Sequence, residues 1–248
     1  FSIAAIVAAL IFAASSSHLI VSGATSVIEL AGDFNWDGPG TATTTVEGAG
    51  TLTIHVNRVD TADDTYGGTL NLNDNADVSI NTAANLWTMA GSINKNNAGG
   101  STVAGDTVNV TGAITVNAGS LTMPVTTLNP SASIVADGTL VLGGGSTFAG
   151  PGSVTGTGTL RMASTSTVTA NTTSGVATFD WDGTSAGSLH TINSGAVFTI
   201  NSTTFDGDGD MDDPISLAGA GGQLNVNGVT NWAMAAALCP CCASRRIT

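Results

Sequence analysis

The sequence predicts an all-β fold wound as a three-sided parallel β-solenoid, and three observations carry that expectation. Short units of alternating apolar and polar residues, usually headed by glycine, recur along the chain. Between Gly105 and Thr165 they start every six or seven residues, so that three of them make roughly twenty, about one coil of such a solenoid. A much longer repeat, at an offset of 145 residues, takes up all four tryptophans of the chain.

The short units are closely alike. Gly50-Thr51-Leu52-Thr53-Ile54, Gly68-Thr69-Leu70-Asn71-Leu72, Gly112-Ala113-Ile114-Thr115-Val116 and Gly119-Ser120-Leu121-Thr122-Met123 share one pattern. So do Gly138-Thr139-Leu140-Val141-Leu142, Gly158-Thr159-Leu160-Arg161-Met162, Gly195-Ala196-Val197-Phe198-Thr199-Ile200 and Gly222-Gln223-Leu224-Asn225-Val226. Period-two alternation of branched residues marks a strand with one buried face. Stacked coils then pile Leu, Ile and Val into an internal column at the strand spacing of about 4.8 Å. Thr, Ser and Asn face outward, where they form hydrogen-bonded ladders in place of charges that would repel at that spacing. An antiparallel sandwich also alternates, but its turns fall roughly every eight to twelve residues, a poorer fit to the middle of this chain.

In the long repeat, Phe34-Asn35-Trp36-Asp37-Gly38 returns as Phe179-Asp180-Trp181-Asp182-Gly183, and Trp87-Thr88-Met89-Ala90 as Trp232-Ala233-Met234-Ala235. Asp-Gly in both copies reads as a turn, and the tryptophans read as core plugs across a coil, with an exposed sugar-stacking pair as the alternative.

The ends read differently from the body. Residues 1–24 open with an apolar run to Ala14, expected as a short N-terminal apolar helix or a truncated secretion signal. The solenoid is expected over residues 25–238. Residues 239–248, with Cys239, Cys241, Cys242, Arg245 and Arg246, break the pattern and read as a frame change, a fusion scar or a gene end. The body before Cys239 has no cysteine, so disulfides do not staple it.

Charge narrows the partners. Only 9% of residues are charged, yet the net charge is −13 because Lys and Arg number five. Nucleic acid is excluded as an expected partner, since neutralising phosphates needs clustered basic residues. An anionic membrane is excluded for the mature body on the same ground. An acidic exterior suits divalent cations and solubility outside a cell.

Gly-x-Leu-x-Val rungs, the acidic lysine-poor surface, the cysteine-free body and the long internal repeat together resemble bacterial secreted β-solenoid proteins. Autotransporter passengers and filamentous-haemagglutinin-like adhesins are the kinds most similar, over about residues 30–235. The resemblance implies a right-handed parallel β-helix, secreted or at the bacterial cell surface, serving in adhesion or as a stalk.

The sharpest chemical feature is the run from Asp206 to Asp213. Carboxylates at Asp206, Asp208, Asp210, Asp212 and Asp213 are spaced to converge on one hard cation, so Ca2+ is the expected metal. Met211 stands where an EF-hand loop has glycine, and the first copy offers only Asp63 and Asp64. Asp33-x-Asn35-x-Asp37-Gly38 resembles the opening of a dockerin calcium loop, but Thr44 stands at the closing position and the segment reads as a structural turn. Asp180 and Asp182 form an i, i+2 pair suited to acid–base work, although the turn explains them. His18, His55 and His190 are scattered, and Gly143-Gly144-Gly145 lacks the lysine and helix of a phosphate loop. Regular Thr-x-Thr ranks of the kind that bind ice are not evident.

The functional expectation is therefore a non-catalytic structural or adhesive repeat protein making weak multivalent contacts with glycans or cell-surface components. A carbohydrate-active β-helix enzyme, a polysaccharide lyase or hydrolase, is the first alternative. A calcium-organised repeat module is the second.

Overall fold

The computed structural model describes residues 17–21, 27–32, 43–48, 51–56, 65–82, 85–150, 153–181, 189–206, 215–217 and 221–233. The chain divides into two compact units, residues 1–125 and 126–248. Among the described residues every regular element is a strand, and no helix is long and apolar enough to cross a membrane. The apolar segment 1–16 and the tail 239–248 lie outside the described residues, so the expected N-terminal helix does too.

Each unit is a parallel β-solenoid with three ladders, which the chain visits in turn from Thr43 onward. In unit 1 the first ladder joins Ser17–Val21, Thr43–Gly48, Thr69–Leu72, Ser92–Lys95 and Ala113–Val116. The second joins Val27–Gly32, Thr51–Val56, Asp77–Thr82, Gly100–Gly105 and Ser120–Met123. The third joins Thr65–Tyr66, Leu86–Met89 and Thr107–Val110. The first ladder thus already includes Ser17–Val21, inside the segment set apart as 1–24.

In unit 2 the first ladder joins Ser133–Ala136, Ser153–Thr155, Thr172–Gly175, Val197–Ile200 and Gln223–Val226. The second joins Thr139–Leu142, Thr159–Met162, Thr178–Asp180, Thr204–Asp206 and Asn231–Ala233. The third joins Thr126–Leu128, Ser146–Phe148, Ser166–Val168, His190–Ile192 and Ile215–Leu217. Partners run parallel, as in Thr139 with Thr159 and Ser146 with Ser166, each twenty residues apart. The coil length expected from the sequence is therefore the one observed, and the hairpin alternative is not.

The inward files explain the alternation. Leu70, Ile93 and Ile114 stack in unit 1, as do Leu140, Leu160, Phe179 and Phe205 in unit 2, all of them buried. Burying a Leu or Phe side chain contributes about 1.5–3 kcal/mol, and every coil adds such a layer on the last. Unit 2 concentrates aromatic rings. Phe179 meets Trp181 edge-on at 5.2 Å and Phe198 at 5.2 Å, and Phe148 lies 5.6 Å from Phe198.

Glycine sets one corner of unit 1, between the third ladder and the first. Gly91 and Gly112 each lie so close to the preceding coil that a Cβ would overlap the carbonyl oxygen of Gly68 and of Gly91 respectively. Those same carbonyls accept from Ser92 N (2.9 Å) and Ala113 N (2.8 Å), which ties the coils together there.

Coils grow where the second ladder hands over to the third. Thr159 and Thr178 are register partners 19 residues apart, whereas Thr178 and Thr204 are 26 apart. Two segments singled out by sequence fall in this connection: residues 57–64 come between second-ladder Thr51–Val56 and third-ladder Thr65–Tyr66, and Asp208 to Asp213 between Thr204–Asp206 and Ile215–Leu217. The 145-residue shift carries strand onto strand, Thr51–Val56 onto Val197–Ile200 and Leu86–Met89 onto Asn231–Ala233. It moves each from one place in the coil's cycle of three to another.

Candidate functional site

Several outward files of both units are built from hydroxyl and carboxamide side chains in register. In unit 1, Thr45, Asn71, Asn94 and Thr115 form a file on the first ladder. Asn94 Nδ2 donates to Asn71 Oδ1 (3.0 Å), and Asn71 Nδ2 to Thr45 Oγ1 (3.4 Å). A second file runs along the strand ends, where Asn117 Nδ2 donates to Asn96 Oδ1 (3.0 Å) and Asn96 Nδ2 to Asn73 Oδ1 (3.4 Å). Each of these amides donates toward the preceding coil, so each file is directional. Neutral groups stack without the repulsion that charges would meet.

Unit 2 carries threonine files that the sequence did not reveal. Thr127, Thr147, Thr167 and Thr191 are successive partners on the third ladder, and Thr139, Thr159, Thr178 and Thr204 on the second. Each is a single rank. The spacing of 19 to 26 residues between members hides it from any local pattern.

One outward file of unit 2 is charged. Val141, Arg161, Asp180 and Asp206 succeed one another along the second ladder. Arg161 Nε lies 3.6 Å from Asp180 Oδ2, with side chains 37% and 18% exposed. Asp180 and Asp206 are direct register partners on strands about 4.8 Å apart, and the Arg161 guanidinium beside Asp180 offsets part of the repulsion between like charges on that file. Of the expected calcium ligands only Asp206 falls on a described residue; Asp208, Asp210, Asp212 and Asp213 lie outside them, as does Asp182. Among the described residues no three His, Cys, Asp or Glu side chains gather as a metal site.

Beneath this file the chain turns inward. Trp181 comes directly after Asp180, its backbone N–H donating to Asp206 O (2.8 Å), and its ring is buried. Trp181 Nε1 donates to Ser166 Oγ (3.3 Å), and the same oxygen is 2.8 Å from His190 Nδ1. The His190 ring stacks on Trp181 with centroids 5.0 Å apart and is 1% exposed. Its Nε2 has no partner among the described residues. Burial alone lowers the His190 pKa to about 4, so the ring is neutral at ordinary pH. Ser146, Ser166 and His190 share one inward file, with Thr126 buried beside the first of them and donating its N–H to Ser146 Oγ (2.9 Å). The sequence signal was present as Thr126, Ser146 and Ser166 at twenty-residue steps, but these polar residues sit at positions where the rung pattern expects apolar ones.

Two of the four tryptophans are plugs. Trp87 and Trp181 are both buried, Trp87 packing 6.4 Å from Tyr66, so neither offers a sugar-stacking surface. Trp36 lies outside the described residues and Trp232 on strand Asn231–Ala233. His18 and His55 lie on first- and second-ladder strands of unit 1, far in sequence from His190. Comparison with protein families, with curated proteins and with solved structures finds no match to this chain.

Proposed function

We propose that this chain is a structural or adhesive segment of a secreted or cell-surface bacterial protein, of the autotransporter-passenger or filamentous-haemagglutinin-like kind. Its coils wind to the right, the hand that parallel crossovers nearly always take. What supports the reading is the outward surface, where Thr and Asn repeat in register on successive coils, as in Thr139, Thr159, Thr178 and Thr204. Such a surface offers one weak hydrogen-bonding contact many times over. Its partners are glycans or other hydroxyl-rich surface components, held by avidity and not by a deep pocket. Beads coated with the protein should bind a glycan surface many-fold better than the free protein does, and binding should persist after any single Thr→Ala change. Equal binding by beads and free protein, or loss of binding from one substitution, contradicts the reading.

The Arg161–Asp180–Asp206 file favours the carbohydrate-active alternative, because paired carboxylates beside a cation are the raw material of glycan cleavage. Incubation with neutral and acidic polysaccharides separates the readings. Cleavage that disappears in both Asp180→Asn and Asp206→Asn would establish the enzyme and displace the adhesive reading. The calcium-organised reading rests on Asp206 and the carboxylates after it; it requires a lower melting temperature in EGTA, and an unchanged melting curve removes it.

A further inference from the structure

Unit 2 has a carboxamide file of its own, in which Asn227 Nδ2 donates to Asn201 Oδ1 (3.1 Å) on the preceding coil and Asn227 N donates to Ile200 O (2.8 Å). Asn227 is joined to Gly228, the one Asn-Gly step in the chain. Both residues are exposed. Gly228 has φ of 70°, a left-handed conformation open to glycine, and nothing lies within 4 Å of the place a Cβ would take. No backbone acceptor meets the Gly228 N–H among the described residues. A free amide nitrogen, an adjacent carboxamide and an unobstructed backbone are the conditions for intramolecular attack.

We propose that Asn227–Gly228 is a spontaneous modification site of the folded protein, which severs one cross-coil bond as the protein ages. The Gly228 nitrogen bonds to Asn227 Cγ, the Cγ–Nδ2 bond breaks, and the nitrogen leaves as ammonia with the proton displaced from Gly228. Water then opens the succinimide at either carbonyl, giving aspartate or isoaspartate. Aspartate has a carboxylate in place of the Asn227 carboxamide and isoaspartate has its carboxylate on Cα, so in both products the donor that Nδ2 supplied to Asn201 Oδ1 is lost. Isoaspartate also adds a methylene to the backbone between Gln223–Val226 and Asn231–Ala233. Other surface asparagines are shielded by a side chain on the next residue: Asn117 precedes Ala118, Asn193 precedes Ser194 and Asn201 precedes the buried Ser202. The same hydrogen bond to Asn201 that conversion destroys also restrains the carboxamide beforehand, so the file slows its own ageing.

The test ages the folded protein at mildly alkaline pH and maps isoaspartate by enzymatic methylation and peptide mass. The label is expected at position 227, accumulating many-fold faster than at Asn193 or Asn201, and absent in Asn227→Gln. Asn201→Ala, which frees the Asn227 carboxamide, is expected to quicken conversion several-fold. If the denatured chain converts at Asn227 while the folded protein shows no more label there than at Asn201, the site is closed by the fold and the proposal fails. An Asn201→Ala rate equal to that of the parent overturns the restraint assigned to the cross-coil bond.

Discussion

The Ser166 hydroxyl and the His190 imidazole stand 2.8 Å apart in the interior of unit 2, with Trp181 bonded to the same serine oxygen and stacked on the ring. Burial in that interior is what holds the histidine neutral. Its pKa is about 4 in the fold and 6.5 by the ordinary value, so between those limits the unfolded chain binds a proton that the fold does not. Stability is then full above about pH 6.5 and falls as the pH drops toward 4, by about 3 kcal/mol from this group. Urea titrations of the parent and of His190→Gln across that range check the sign. The parent should lose more stability on acidification than the variant does, and parallel losses would place the pH dependence elsewhere.

Lys95 occupies an inward file between Leu72 and Val116 and is wholly buried. Its stem takes an aliphatic place while Nζ reaches the turn, donating to Asn97 O and to Asn97 Oδ1 at 3.0 Å. Burial lowers its pKa, and the Asp74 carboxylate offsets part of that. The stem does the packing and the ammonium carries a desolvation cost. Lys95→Leu should thus be neutral or stabilising by about 1 kcal/mol, whereas Lys95→Ala should cost about 2 kcal/mol by leaving a cavity. Equal losses in both variants would show that the charge, not the stem, matters here.

Gly112 has no room for a side chain, since a Cβ would meet the Gly91 carbonyl oxygen of the preceding coil and the neighbour is backbone that cannot swing away. Gly112→Ala should cost about 3 kcal/mol, measured by chemical denaturation. A loss below about 0.5 kcal/mol, ordinary for a surface substitution, would mean that the coils do not approach so closely.

Ser174 takes a place in the first-ladder file of unit 2 between Val154 and Ile200, and its buried Oγ has no partner among the described residues. An unpaired buried hydroxyl costs about 1–3 kcal/mol, so Ser174→Ala should raise stability by about 1 kcal/mol, read as an upward shift in melting temperature. A clear loss would reveal a hydrogen bond that the serine makes in solution.

The first and second ladders were the most legible in the sequence, and the reason the third was less so is physical, above all in unit 2. The glycine-headed units from Gly50 to Val226 are all strands, and every one lies in a first or second ladder. Third-ladder strands such as Thr126–Leu128, Ser146–Phe148 and Ser166–Val168 have three residues, too few for alternation to register. Their leading inward residue is Thr or Ser, and it belongs to the buried polar file that ends in His190. Coil length was readable where it is a uniform twenty and obscure where the second-to-third connection lengthens, as between Thr178 and Thr204. Of the candidate ligands, Asp206 proved to lie on a strand beside Asp180, a juxtaposition 26 residues apart that only the coil register reveals. Lys95 fits the alternation as an inward residue, but its type reads as surface.

The register between Thr139–Leu142 and Thr159–Met162 tests the stacking of parallel coils most directly. The three tail cysteines are first replaced by serine, and outward residues on the two strands are then changed to cysteine in pairs. Parallel partners stand about 4.8 Å apart, within the span a disulfide bridges. Oxidation should cross-link Thr139→Cys with Thr159→Cys, and Val141→Cys with Arg161→Cys, as the register requires. Cross-linking of the diagonal pairs instead, 139 with 161 and 141 with 159, would mean antiparallel strands and would contradict the account at its root.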